Sequence, residues 1–100
     1  MKIYTTDNKI LTEKPQIQIG DKLYAVDDRQ STFNKLNEQL QKDSNNMEAI
    51  YKLVFGNKAA QEIMDMELSV LGTQNLLIYV FAAIKGCEFE EAQMFFRDNQ

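Results

Sequence analysis

The sequence contains no histidine and a single cysteine, and each scarcity excludes a common kind of site. Without histidine, one chain cannot assemble the Ser-His or Cys-His pairs of nucleophilic catalysis, nor a zinc site that uses imidazole. A lone cysteine cannot form a disulfide within the chain, so nothing in the composition requires an oxidising compartment. We therefore expect no catalytic residues, no cofactor and no metal, and we predict that the protein is not an enzyme.

Basic residues are scarce in the second half of the chain. Residues 1–56 carry eight basic and eight acidic side chains, whereas residues 57–100 carry three basic and seven acidic ones. This distribution offers no basic stripe for phosphates, so we expect no nucleic-acid partner. The longest apolar run, residues 76–84, is far shorter than the roughly 20 residues that span a bilayer. We expect a cytoplasmic protein without a membrane anchor or a signal peptide.

What is present is a folding composition, with 44% hydrophobic and 26% charged residues in a chain of 100. This length and composition predict one domain over residues 1–100, with a hairpin region at 1–26 and a helical region at 27–100. The predicted class is α+β, in which an N-terminal β-hairpin or short meander precedes a mostly helical bundle of four to five helices.

The hairpin is predicted around Gly20-Asp21, because glycine readily adopts the positive φ of a two-residue turn. A turn there pairs Ile17 with Tyr24 and places both, with Val26, on one apolar face. Residues 2–6 and 9–13 offer a second hairpin around Asp7-Asn8, and the alternative is an unpaired terminus.

From Asp27 onward the apolar period lengthens to that of a helix. The first helix carries Phe33, Leu36 and Leu40 on one stripe, with Asp27 or Asp28 as its cap. The second helix is predicted over residues 47–55, with Asn45 in a capping box and Gly56 at its end.

The remaining helices follow in the same way. Asn57 is predicted to cap a helix over about 58–71, which Gly72-Thr73 would kink or divide. The run at 76–84 is apolar all round and predicts the central helix, closed by Gly86. The last helix is predicted over about 88–98.

Three groups of residues suggest chemistry, and each has a structural explanation that we favour. The acidic residues Glu88, Glu90 and Glu91 open a helix, where the helix dipole favours negative charge. Asp27-Asp28 lacks further metal ligands at a recognisable spacing, so a helix cap is the better interpretation. Cys87 has acidic neighbours that oppose a reactive thiolate, and we expect a packed or half-exposed thiol.

Four apolar residues do not fit the helical stripes, and they are our candidate protein-interaction residues: Met66, Val70, Met94 and Phe95. Adjacent Phe95 and Phe96 point about 100° apart on a helix, so one of them should face outward. Either the last helix packs on two sides within the domain, or the outward residues form a surface for a partner or for self-association.

The order of these elements resembles the small tail assembly chaperones of long-tailed bacteriophages and prophages. The likeness covers about residues 17–86. It is carried by the glycine-turn hairpin at 17–26, the segment 33–36, the apolar-Gly-Ala/Glu stretch at 53–63 and the apolar helix at 76–84. Phe55-Gly56 stands where that family would have Leu-Gly.

The resemblance implies a protein made in the infected bacterial cytoplasm that binds and solubilises the tape-measure protein while tail-tube subunits assemble. Its partners would be the tape-measure and tail-tube proteins, with a homo-oligomer as a further expectation. The alternative function is a small cytoplasmic regulatory module that binds another protein through its helical half.

Overall fold

A computed structural model describes residues 1–6 and 9–98, and within them an N-terminal hairpin is followed by five helices, which confirms the predicted α+β class. The elements are β1 (Gln16–Ile19), β2 (Lys22–Ala25), α1 (Gln30–Lys42), α2 (Met47–Phe55), α3 (Asn57–Asp65), α4 (Val70–Lys85) and α5 (Phe89–Asp98).

The hairpin has the predicted turn and register. Gly20 has a φ of 62°, and β1 and β2 pair antiparallel with Ile17 opposite Tyr24. Tyr24 and Val26 are buried, whereas Leu23 points outward. The Tyr24 hydroxyl lies 3.4 Å from the Glu62 carboxylate, and Lys22 forms an ion pair with the same group. The hairpin is therefore fastened to α3 by polar contacts at its edge and by apolar contacts beneath.

Of the two alternatives for residues 2–13, the described residues have the unpaired terminus and not the second hairpin. Residues 2–6 and 9–13 form no strand, and their apolar side chains are exposed. The proposed turn residues, Asp7 and Asn8, lie outside the described residues. An isolated two-stranded hairpin is marginal in water, and these two segments have no apolar face to rest on.

The cap position of α1 lies one or two residues after the predicted cap, Asp28 or Asp27. Arg29 occupies the cap position, and no side chain caps the helix there. Asp27 instead accepts a hydrogen bond from the Arg29 backbone N–H at 3.2 Å and binds its guanidinium at 2.9 and 2.7 Å. The Asp27 backbone N–H also donates to the Val54 carbonyl at 2.8 Å, which joins the end of β2 to the last turn of α2.

From these contacts we predict that protonation of the Asp27 carboxylate destabilises the fold. Its bonds to Arg29, and a further one to Thr32, hold the pKa of Asp27 well below its ordinary value of 3.8. A carboxyl whose pKa falls on folding contributes stability above its unfolded pKa and loses it as pH drops through the folded one. Asp27→Asn should therefore lower the urea midpoint at pH 7, and the difference from wild type should shrink below about pH 4. A pH-independent difference would contradict this assignment.

The cap of α2 is Asn46, not Asn45, and its side chain accepts a hydrogen bond from the Ala49 N–H at 3.1 Å. Gly56 ends α2 as predicted, with a φ of 89°. The same glycine also occupies the cap position of α3, which begins at Asn57 instead of being capped by it. One residue therefore serves both helix ends, and the chain turns there without an intervening loop.

The third and fourth helices divide earlier than predicted. The break falls between Asp65 and Val70, and Gly72 and Thr73 lie inside α4. Ser69 caps α4 by accepting a hydrogen bond from the Gly72 N–H at 3.0 Å. The side-chain cap stabilises a helix start at this point by about 1 kcal/mol, enough to offset the low helix propensity of one glycine.

Helix α4 is the central element, as its apolar sequence predicts. Gly86 ends it in the left-handed conformation, with φ 71° and ψ 33°. The helix packs mainly against α5 and β1, Phe81 contacts Phe33 of α1, and its buried residues belong to the same core cluster as those of α2 and α3. The largest fully buried side chains of the core are Leu36, Ile50, Ile63, Val26, Val54 and Val80.

Candidate protein-binding trough

The four predicted interaction residues all lie on the surface. Val70 is 78% exposed, Met94 62%, Phe95 40% and Met66 39%. Val70 and Phe95 border neighbouring depressions, whereas Met66 and Met94 line neither of them. The structure therefore brings two of the four towards one surface. That they bind a partner stays a prediction.

Phe95 and Phe96 divide as the helical geometry predicts. Phe96 is half-buried and packs edge-on against Phe81, with ring centroids 4.5 Å apart. Phe95 lies farther out, with its centroid 6.1 Å from that of Phe81. The Lys85 ammonium lies 5.0 Å from the Phe95 ring and 5.1 Å from that of Phe33. Phe95 is thus anchored within the chain while a large part of it faces solvent.

Three adjoining depressions, of about 160, 390 and 380 Å³, form a surface that we call the trough. The first two share Met47, Leu68 and Thr73, and the second and third share Leu40, Ser44 and Phe96. Half-buried apolar side chains from four helices and the α3–α4 connection supply its floor: Leu40, Met47, Leu68, Leu77 and Phe96.

The rim of the trough is polar but mostly uncharged. Amide and hydroxyl side chains line it, and Glu67 is the one charged side chain among the described lining residues: Asn37, Gln41, Ser44, Asn45, Gln74 and Glu67. An apolar floor with a hydrogen-bonding rim suits the apolar face of a helix laid in a groove. Specific recognition of an ion or a phosphate would need charges that this rim does not present.

Burial affects one titratable group at the end of the trough. It raises the pKa of the Tyr51 hydroxyl, although a hydrogen bond to Thr73 acts in the opposite direction. Tyr51 therefore remains a neutral phenol at physiological pH. Its role there is packing, against Phe55 at a centroid distance of 6.1 Å.

The other chemical candidates take structural positions. Glu90 and Glu91 lie in the first turn of α5, and the Glu88 carbonyl accepts from the Ala92 N–H at 3.1 Å. Cys87 is half-buried. In the part of the chain that the structure describes, no group of three or more Cys, Asp or Glu side chains is arranged to hold a metal ion.

Sequence reasoning missed the floor of the trough. The apolar period predicts Leu40 on the inward stripe of α1, and Leu40, Leu68 and Phe96 all pack against the core. Their outer edges become the trough because α1, α4 and α5 do not close over them.

Within the described residues, no single helix is long and apolar enough to cross a membrane. The pair formed by residues 70–85 and 89–96 meets those criteria only jointly, and it is bent by 110°.

Comparison with known proteins gives no assignment. No family model, no curated protein and no solved structure matches this chain.

Proposed function

We propose that this protein is a cytoplasmic, non-enzymatic chaperone of the phage tail assembly kind, which binds and solubilises the tape-measure protein during tail assembly. The observation that carries the proposal is the trough, an open apolar surface whose rim has a single charged side chain among the described residues. A tape-measure protein is a long helical chain, and an amphipathic helix is the ligand that such a surface accommodates.

The distribution of charge supports the same function. Residues 57–100 have four more acidic than basic side chains, and the described residues lining the trough have almost no charge. A partner helix can bury its apolar stripe in the trough while the acidic remainder keeps the complex dispersed in water. The resemblance over residues 17–86 independently favours this class of chaperone over a regulatory module.

Co-expression tests the proposal directly. The protein should raise the soluble yield of a tape-measure fragment taken from the same gene cluster. Val70→Glu should abolish most of that gain and weaken binding about tenfold or more, because it loses the roughly 1.5–3 kcal/mol available from burying a valine and adds a charge. Isothermal titration with the purified fragment measures the affinity.

A matched control lies one residue away. Leu71 is also exposed in the first turn of α4, but it does not line the trough. Glutamate is favoured by the helix dipole at either position, so neither variant should unfold the protein. Leu71→Glu should retain chaperone activity. Equal effects of both variants, or unchanged fragment yield with both chains well expressed, would rule out the trough as the binding surface.

A further inference from the structure

One edge of the hairpin is left without a strand partner. Val26 donates its N–H to the Pro15 carbonyl, which makes Pro15–Val26 a hydrogen-bonded pair of the ladder. Such pairs alternate along an antiparallel ladder, so the backbone groups of Gln16 and Gln18 point away from β2. No described segment forms a third strand there. An open strand edge of this kind is a template for β-addition.

A groove follows this open edge. It has a volume of about 660 Å³, and residues 15–18 line it whereas no residue of β2 does. Apolar groups of α4 and α5, including Tyr79, Ala82 and Phe89, supply one wall. Glu88 and Glu90 add two acidic side chains to the same wall. The groove therefore offers backbone hydrogen bonds, an apolar wall and negative charge together.

The same chain carries a segment with the complementary properties, residues 1–6, which we call the arm. Its Ile3 and Tyr4 side chains are 84% and 77% exposed, and it forms no strand. Isoleucine, tyrosine and threonine are strand-favouring residues, and Lys2 is the only charged side chain in the arm. The Cα radius of gyration is 14.8 Å, above the roughly 13 Å of a compact chain of this length. The arm is thus an exposed segment of strand-favouring residues with one basic side chain.

We propose that the arm of one copy adds as a third strand to β1 of a second copy, in the groove beside Glu88 and Glu90. Each arm would satisfy the backbone groups of Gln16 and Gln18, bury apolar side chains against α4 and α5, and bring Lys2 towards the acidic wall. Reciprocal exchange of two arms gives a closed twofold dimer, since each copy supplies one arm and one groove. This inference does not depend on the proposed chaperone function.

The chain before β1 leaves the arm able to reach a second copy. The Pro15 carbonyl accepts a hydrogen bond from the Val26 N–H, so Pro15 continues the line of β1. Residues 9–14 form neither helix nor strand and are exposed, so they do not tie the arm to the body of its own chain. Reciprocal exchange fills the grooves of both copies with two equivalent contacts.

Cross-linking between two distinguishable chains tests the exchange, because Cys87 lines the groove and is the only cysteine of the chain. An affinity-tagged Ile3→Cys/Cys87→Ser chain is mixed with untagged wild type and oxidised with glutathione disulfide. We expect a disulfide between the tagged arm and wild-type Cys87, several-fold above that of a tagged Leu23→Cys/Cys87→Ser chain. Leu23 is an exposed position on the outward face of β2 and controls for random collision.

The single variant Ile3→Cys, which keeps Cys87, separates exchange from folding back. Exchange gives disulfide-linked dimers on a non-reducing gel, whereas folding back gives a monomer with an internal disulfide. A predominantly internal disulfide, or a cross-chain yield no higher than that of the Leu23 control, would overturn the proposal.

Sedimentation equilibrium provides the second measurement. Deletion of residues 1–6 should convert the dimer to a monomer. Gln16→Pro should raise the dimer dissociation constant about tenfold, since it removes one outward N–H and hinders the incoming strand, while proline remains tolerated at the first residue of a strand. Gln16→Ala keeps that N–H and should remain dimeric. A wild-type monomer, or a dimer indifferent to the deletion, would refute arm exchange.

Discussion

Replacing Phe81 with alanine is expected to lower the free energy of unfolding by about 3–5 kcal/mol, the usual range for a buried phenylalanine. Phe81 is 2% exposed at the centre of the molecule, and it contacts the rings of Phe33, Phe95 and Phe96. Its removal leaves a cavity bordered by three elements, α1, α4 and α5, that cannot all move inward together. Urea unfolding followed by circular dichroism measures the change, which should also lower Tm by well over 10 °C at about 4–8 °C per kcal/mol.

Phe95→Ala is the matched control for this result. The side chain has the same chemistry and belongs to the same aromatic cluster, but it is 40% exposed. We expect a loss of only about 1–2 kcal/mol, because less apolar surface returns to water. Equal losses at the two positions would show that α5 is held mainly by Phe95, contrary to the packing described above.

Gly56→Ala is expected to lower the free energy of unfolding by about 1–3 kcal/mol, although a Cβ at this position would meet no atom within 4 Å. The reason is backbone conformation. Gly56 has φ 89° and ψ 167°, a region that is essentially restricted to glycine. Because Gly56 joins α2 directly to α3, relaxation of its torsions would misdirect one helix relative to the other. Urea midpoints of the wild type and the variant give the difference.

Asparagine substitutions separate this strain from a general loss of glycine. Gly86 has φ 71° and ψ 33°, which lies in the left-handed helical region that asparagine tolerates. Gly86→Asn should therefore be nearly neutral, whereas Gly56→Asn should be as harmful as Gly56→Ala. Comparable stability of Gly56→Asn and wild type would contradict the conformational argument.

The elements specified by local chemistry could be predicted from the sequence. Gly20 indicated the position of the turn. The alternation of Ile17 and Ile19 before it indicated the register of the hairpin, because a one-residue slip would expose the apolar face. The unbroken apolar run of residues 76–84 identified the central helix. The bounds of α2 followed from a clear stripe ending at Gly56.

The helix boundaries that depend on competition between signals could not be predicted. Gly72-Thr73 is a weak point by propensity, but the cap formed by Ser69 moves the break to the preceding residues. Asp27 has a suitable side chain for a cap, but its backbone N–H donates to the Val54 carbonyl and its carboxylate binds the Arg29 guanidinium. In both cases a contact outside the local pattern determines the outcome.

The candidate site could be predicted only in part, because its shape depends on contacts between helices that lie outside the local sequence pattern. Val70 and Phe95 depart from their helical stripes, and that departure correctly indicated exposure. The trough itself depends on how far apart α1, α4 and α5 lie, which no single-helix pattern encodes. Leu40 and Phe96 consequently have the sequence signature of core residues while they form the floor of an open surface.

The hydrogen bond from the Asp27 amide to the Val54 carbonyl couples the opening of the hairpin to that of the α2–α3 pair. That carbonyl belongs to the last turn of α2, where backbone acceptors have no partner within the helix. Isotope exchange at this one amide would require the hairpin to lift away from α2, so its protection factor reports the opening of that seam independently of global unfolding. A partner that draws β1 into a wider sheet would slow exchange at Asp27 without touching it.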